Sequence, residues 1–206
     1  CSTTLNETFG QIDFKSTSFS YIRCYWIIQS AGVRDAVALI SVQELNIAYC
    51  SEQVKITDGN ATQVFYHRGC ESFAPEIISD VNFGLSNNIT VQLITLRSGR
   101  SLKIKFAILK KGLTSAILVS GWNVTLLNAT FTSFTLQWTR IDTSFYIIEV
   151  KSINGTLLGI ETVPGNATTT NIKGMSPSTK YRVVVYGIDR IGQPYKSLES
   201  AFATKK

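Results

Sequence analysis

The chain has 206 residues, enough for two domains of ordinary size, and its eleven Phe, eight Tyr and three Trp can furnish a packed core. A hydrophobic fraction of 44% against 17% charged residues excludes intrinsic disorder. The net charge is +6, and no apolar run approaches the roughly 20 residues that a membrane-spanning helix needs. The chain opens at Cys1 without a leader, so it is read as a processed form or an excised piece of a longer protein.

Cysteines stand at Cys1, Cys24, Cys50 and Cys70, all in the first third, and no pair has the spacing of a zinc or redox site. Widely spaced and even in number, they fit disulfides, with three pairings open. Helical periodicity is nearly absent. The stretch from Val33 to Val42 is the ambiguous one, and it reads as a loop leading into a strand. Leu102, Ile104 and Phe106 alternate with Lys103 and Lys105. Past a boundary near Lys110-Lys111-Gly112-Leu113, the same alternation runs through Phe134, Leu136 and Trp138, then Tyr146, Ile148 and Val150, then Tyr181, Val183 and Val185. Period two with β-branched and aromatic residues predicts half-buried strands. Turn signals recur at Asp58-Gly59, Ser98-Gly99, Asn154-Gly155, Pro164-Gly165 and Ile191-Gly192. The fold expected is all-β, two consecutive β-sandwich domains over residues 1–112 and 113–206.

Asn-x-Thr occurs at Asn6, Asn60, Asn88, Asn123, Asn128, Asn154 and Asn166. Chance gives roughly two such sequons for this composition. N-glycans are bulky and face solvent, and these sites span the whole chain, so passage through the secretory pathway is expected. The chain is therefore placed outside the cell, secreted or on the outer face of the plasma membrane, where disulfides form. Any membrane attachment belongs to a segment outside this chain.

"MSPSTKYRVVVYGID", from Met175 to Asp189, joins a strand-breaking half to a strand-forming half. Pro177 fixes its backbone and stops the incoming strand. Tyr181 can bury its ring while its hydroxyl returns to the turn, and Val183 and Val185 continue inward with Arg182 and Val184 facing away. With "WNVTLLNATFTSFTLQW" and "FYIIEVKSINGT", this segment resembles a fibronectin type III domain, extending from Gly121 to Thr204 within the second sandwich. The resemblance implies a core role for Trp138 and a structural one for Tyr181. The adhesive Arg-Gly-Asp of that family is absent.

The first domain resembles a CUB domain, on Cys1, the Gly10 region, "CYWII" from Cys24, "CSEQVKITDG" from Cys50, "YHRGC" ending at Cys70, and "LKIKFAI". That resemblance implies the pairs Cys1–Cys24 and Cys50–Cys70, each closing about 20 residues and contributing roughly 3 kcal/mol in the chain-entropy view. It also implies a buried aromatic at Trp26. Calcium, which many members use to hold a partner's basic side chain, is not expected. Of the acidic positions only Glu52 has a counterpart, one residue out of place, and the later loop "TLRSGRS" is basic.

Catalysis is not expected either. The single histidine, His67, reads as a surface or strand residue beside a disulfide. Glu44, Glu52, Asp58, Glu71 and Glu76 show no local pairing, and neither a nucleophile elbow nor a phosphate loop occurs. No cofactor is implied. The charge excess resides in Arg97, Arg100, Lys103, Lys105, Lys110 and Lys111, six cations without an intervening acid. A lysine-protected, solvated edge strand is the plain reading of that segment. Its functional rivals are contact with an anionic glycosaminoglycan or membrane surface and contact with an acidic patch on a protein. Nucleic acid is not expected for a chain of this kind. The reading is a non-catalytic module pair of a cell-surface receptor or adhesion protein, recognising a protein ligand, a co-receptor or its own kind. The alternatives are a secreted matrix protein that binds acidic polysaccharide and a non-catalytic appendage of a secreted protease.

Overall fold

The computed structural model describes residues 1–110 and 112–206; Lys111 lies outside the described residues. The chain divides into two compact units, Cys1–Gly112 and Leu113–Lys206.

The first unit contains β1 (Thr3–Leu5), β2 (Phe9–Lys15), β3 (Ile22–Gln29), β4 (Val37–Asn46), β5 (Gln53–Thr57), β6 (Gln63–Arg68), β7 (Glu76–Asn82), β8 (Asn88–Thr95) and β9 (Ser101–Leu109). They form a five-stranded sheet, β1-β3-β8-β5-β6, and a four-stranded sheet, β2-β9-β4-β7. Alternation makes the sandwich: Trp26, Ile28, Val54, Ile56, Val91 and Leu93 from the first sheet join Ile40, Val42, Leu102, Ile104 and Phe106 from the second in one core. The stretch from Val33 turns through Asp35 before β4 begins at Val37, so it is a loop and then a strand.

Two disulfides staple this unit. Cys1–Cys24, with Cα atoms 5.3 Å apart, fixes the parallel pairing of β1 with β3, in which Thr3 faces Trp26. Cys50–Cys70, at 4.7 Å, ties the turn before β5 to the turn after β6.

One expectation fails here. The lysine-bearing strand β9 is not an edge. It lies inside its sheet, hydrogen-bonded to β2 on one side and β4 on the other. Lysines mark edges when they face open water, but a neighbouring strand that supplies acids accommodates them equally well. Lys103 stands in register between Asp13 and Glu44.

The second unit begins with a single 3₁₀ turn, Leu113–Ser115. Its strands are β10 (Ile117–Leu118), β11 (Val124–Ala129), β12 (Ser133–Trp138), β13 (Phe145–Ser152), β14 (Leu157–Pro164), β15 (Thr169–Lys173), β16 (Lys180–Ile188), β17 (Pro194–Lys196) and β18 (Ser200–Ala203). The sheet β11-β12-β15 packs on β10-β17-β16-β13-β14, to which β18 adds by pairing with β16. Phe134, Leu136, Trp138, Tyr146, Ile148, Val150, Tyr181, Val183 and Val185 meet in the core between them. Val184 lies on the opposite face of β16, as alternation requires, and is buried there too.

The corner before β16 has the expected form. Tyr181 is buried, its ring 5.9 Å from that of Phe134, and its hydroxyl accepts the backbone N–H of Ser176 at 2.8 Å. Thr204 secures the same turn, its hydroxyl donating to the Ser176 carbonyl at 2.7 Å and accepting the Thr179 N–H at 3.0 Å. Tyr181→Phe leaves the Ser176 N–H without that acceptor and should lower the stability of the second unit by about 1–3 kcal/mol. An unaltered melting temperature of that unit would show that the corner contributes nothing.

Candidate functional site

Of the six basic residues singled out in the sequence, the five described ones do not assemble into one surface. Arg100 is turned inward. Its Nε lies 3.1 and 3.0 Å from the two carboxylate oxygens of Glu52, a side chain with no exposed surface. Lys103 is half-buried between its two acidic neighbours, and Lys105 is buried on β9. Lys110 is half-buried just past β9, and Lys111 lies outside the described residues. Arg97 alone of the described five is exposed, stacked on the Tyr49 ring at 4.8 Å from its centroid.

Glu52 is a structural ion rather than a ligand in waiting. Besides Arg100, its oxygens accept the Ala48 N–H at 2.9 Å, the Tyr49 N–H at 3.2 Å, the Thr95 hydroxyl at 2.8 Å and the Leu96 N–H at 3.0 Å. Burial opposes its charge. The Leu96 and Ala48 amides, Thr95 and Arg100 outweigh that cost and hold the carboxyl at about 2. Both oxygens are committed to donors of the protein itself. Among the described residues, no group of three or more His, Cys, Asp or Glu is placed to hold a metal ion.

His67 is not at the surface. It is buried on the inward side of β6, edge-on to Phe73 at 5.5 Å between ring centroids, with Nδ1 4.0 Å from Glu71. Packing against an aromatic, it is a sandwich residue. The sequon asparagines lie where a glycan can be attached: six are exposed, and Asn88 is half-buried. Asn60 and Asn88 line one shallow hollow, together with Asp58, Leu85 and Ser86.

A different constellation emerges on the outward face of the five-stranded sheet. Register places Tyr25, Gln92, Lys55 and Tyr66 in one row across β3, β8, β5 and β6. The next row is Arg23, Ile94, Gln53 and Arg68. Each arginine lies over the tyrosine two residues away on its own strand, Arg23 at 5.1 Å and Arg68 at 5.7 Å from the ring centroid. Each pair is then tied to a glutamine of a central strand. Arg68 Nε donates to the Tyr66 hydroxyl at 2.9 Å, and that hydroxyl donates to Gln53 Oε1 at 2.8 Å. On the other side, the amide orientation of Gln92 that satisfies its neighbours points its oxygen at Arg23. It accepts from Nε and Nη2, each at 2.9 Å, and from the Tyr25 hydroxyl at 2.9 Å.

The signal for this site was present in the sequence as two i,i+2 pairs, Arg23/Tyr25 and Tyr66/Arg68. Only the strand order brings them into line. A face of tyrosine, arginine and glutamine, its arginines exposed and its tyrosines and glutamines half-buried, has the composition of a recognition surface rather than of a reaction centre.

Comparison with known proteins agrees with the second unit. Residues 119–202 match the family model of the fibronectin type III domain. The "MAM and fibronectin type III domain-containing protein 1" of Acropora millepora is 31% identical over 204 residues, covering 96% of this chain and 48% of the relative. The chain thus spans about half the length of that curated relative. A crystal structure of an FN3 domain of human collagen XX is 25% identical and covers 40% of this chain and 86% of that one, with a TM-score of 0.37. Residues 119–202 are a fibronectin type III domain.

Proposed function

We propose that this chain is a non-catalytic pair of extracellular modules that recognises another protein, as part of a cell-surface receptor or adhesion protein. The observation that carries this reading is the fibronectin type III domain joined to a second β-sandwich that holds two disulfides. Disulfides belong to an oxidising compartment, and seven sequons, six of them on exposed asparagines, suit the same place. The first unit is assigned as CUB-like, on the cysteine pairing and the two-sheet arrangement. The name of the Acropora relative offers a MAM module as the competing assignment for that unit.

The chain, secreted from eukaryotic cells and tetramerised on a fluorescent scaffold, should stain cells that carry its partner. Brief trypsin treatment of those cells should abolish the staining, and heparinase should leave it intact. The reverse pattern would assign the chain to acidic polysaccharide of the matrix instead. Endoglycosidase release should shift the mass of the secreted chain, and no shift would remove the sequons from the case.

A further inference from the structure

We propose that the outward face of β3, β8, β5 and β6 docks an acidic segment of a partner protein, with Arg23, Lys55 and Arg68 receiving its carboxylates; this deepens the protein-recognition reading and rests on it.

The charge balance of the face is the first ground. These four strands, IRCYWIIQ, NITVQLIT, QVKIT and QVFYHR, contain no Asp or Glu. Three cations therefore share one sheet face with no carboxylate among them. Glu71, at its rim, is engaged by the backbone N–H of Arg68 at 3.4 Å and stands beside His67. Such a face attracts negative charge and disfavours basic partners.

Preorganisation is the second ground. A free arginine loses side-chain freedom when it binds, which costs affinity. Here the guanidiniums are already held, Arg23 by Gln92 and the Tyr25 ring, Arg68 by the Tyr66 hydroxyl and ring. Arg68 commits its Nε to Tyr66 and is itself exposed, within reach of a partner's carboxylate.

Geometry supplies the third. Arg23 and Arg68 occupy one row on strands three positions apart, a span of about 14 Å at the usual strand spacing. Side chains four residues apart on an extended peptide span about 13 Å. An extended acidic segment laid across the strands thus reaches both arginines over Ile94 and Gln53, with Lys55 in the neighbouring row, two residues along β5. Sugar stacking is the lesser use of the two tyrosines, because each ring already carries a guanidinium on one side.

The test uses the full chain and a fluorescein-labelled octaglutamate peptide, followed by anisotropy at low and at physiological salt. Binding should be saturable and should weaken with salt, because Arg23 and Arg68 are exposed. Arg23→Glu combined with Arg68→Glu should weaken it by about tenfold or more at unchanged melting temperature, whereas Arg97→Gln should leave it within about twofold. A double variant that binds as well as the parent would overturn the proposal, and so would equal losses in the double variant and in Arg97→Gln. Tight heparin binding by a chain that ignores the peptide would overturn it in favour of polysaccharide. Peptide binding that persists while cell staining resists trypsin would sink the wider function and leave the face standing.

Discussion

Glu52→Gln should destabilise the first unit by about 3–5 kcal/mol, the range for breaking a buried ion pair from one side. The reason is the asymmetry of the site. The substitution keeps the shape and removes the charge, so Arg100, only 14% exposed at its side chain, is left without a counter-ion. Four donors besides, the Leu96, Ala48 and Tyr49 amides and the Thr95 hydroxyl, lose an anionic acceptor. The consequence for pH has a definite sign. The carboxyl is held at about 2, against 4.5 ordinarily, so its contribution is complete above about 4.5 and disappears as pH falls towards 2. That gap corresponds to about 3 kcal/mol at neutral pH. Trp26 reports on the first unit, while Trp122 and Trp138 belong to the second. The measurement is urea unfolding of parent and variant at neutral pH and near pH 3, resolved by unit. The parent should lose stability on acidification and the variant should lose less. Equal stability at neutral pH, or equal acid sensitivity, would defeat this account of Glu52. Arg100→Met added to Glu52→Gln should recover part of the loss, since it removes the unpaired charge.

Replacing Cys1 and Cys24 together by alanine should cost the first unit about 3 kcal/mol, as expected when a disulfide closing a loop of this length is lost. The local structure says where the damage falls. β1 is three residues long, two of them exposed, and it holds to β3 through a parallel ladder that begins two residues from the bridge. Untied, β1 should fray and become the first point of proteolysis. The second unit contains no cysteine, so its transition should be indifferent both to the substitution and to dithiothreitol. A reductant that lowers both transitions equally would contradict this, and a Cys24–Cys50 link in non-reducing peptide maps would overturn the pairing itself.

What the sequence reveals about this fold is local, and what it conceals is remote. Phe134, Leu136 and Trp138 announce a strand because each sees the same core, and the pattern needs no knowledge of the partner strand. The corner at Tyr181 is equally legible, since its acceptor role is fulfilled five residues upstream at Ser176. Lys103 of β9 misleads for the opposite reason. Its meaning depends on Asp13 and Glu44, which lie far away in the chain and adjacent in the sheet. Arg100 misleads in the same way, because its partner Glu52 approaches only when the sandwich closes. The docking face combines both cases: each arginine–tyrosine pair is visible as a two-residue spacing, but the alignment of the two pairs is a property of strand order.

That strand order also sets a timetable. Gly10 of β2 pairs with Phe106 of β9, and Cys24 of β3 with Leu93 of β8, so both sheets of the first unit must wait for the distal part of its chain. At a synthesis rate of about 5–20 residues per second, β2 spends roughly 5–20 s without its neighbour. In the second unit β11 meets β12, and β13 meets β14, through short connections, so partners arrive almost as soon as they are needed. Non-local pairing slows closure even in the finished chain. The first unit is therefore the slower to fold, and β2, β3 and β4 are the segments whose unpaired edges stay open longest to chaperones or to like strands of neighbouring chains.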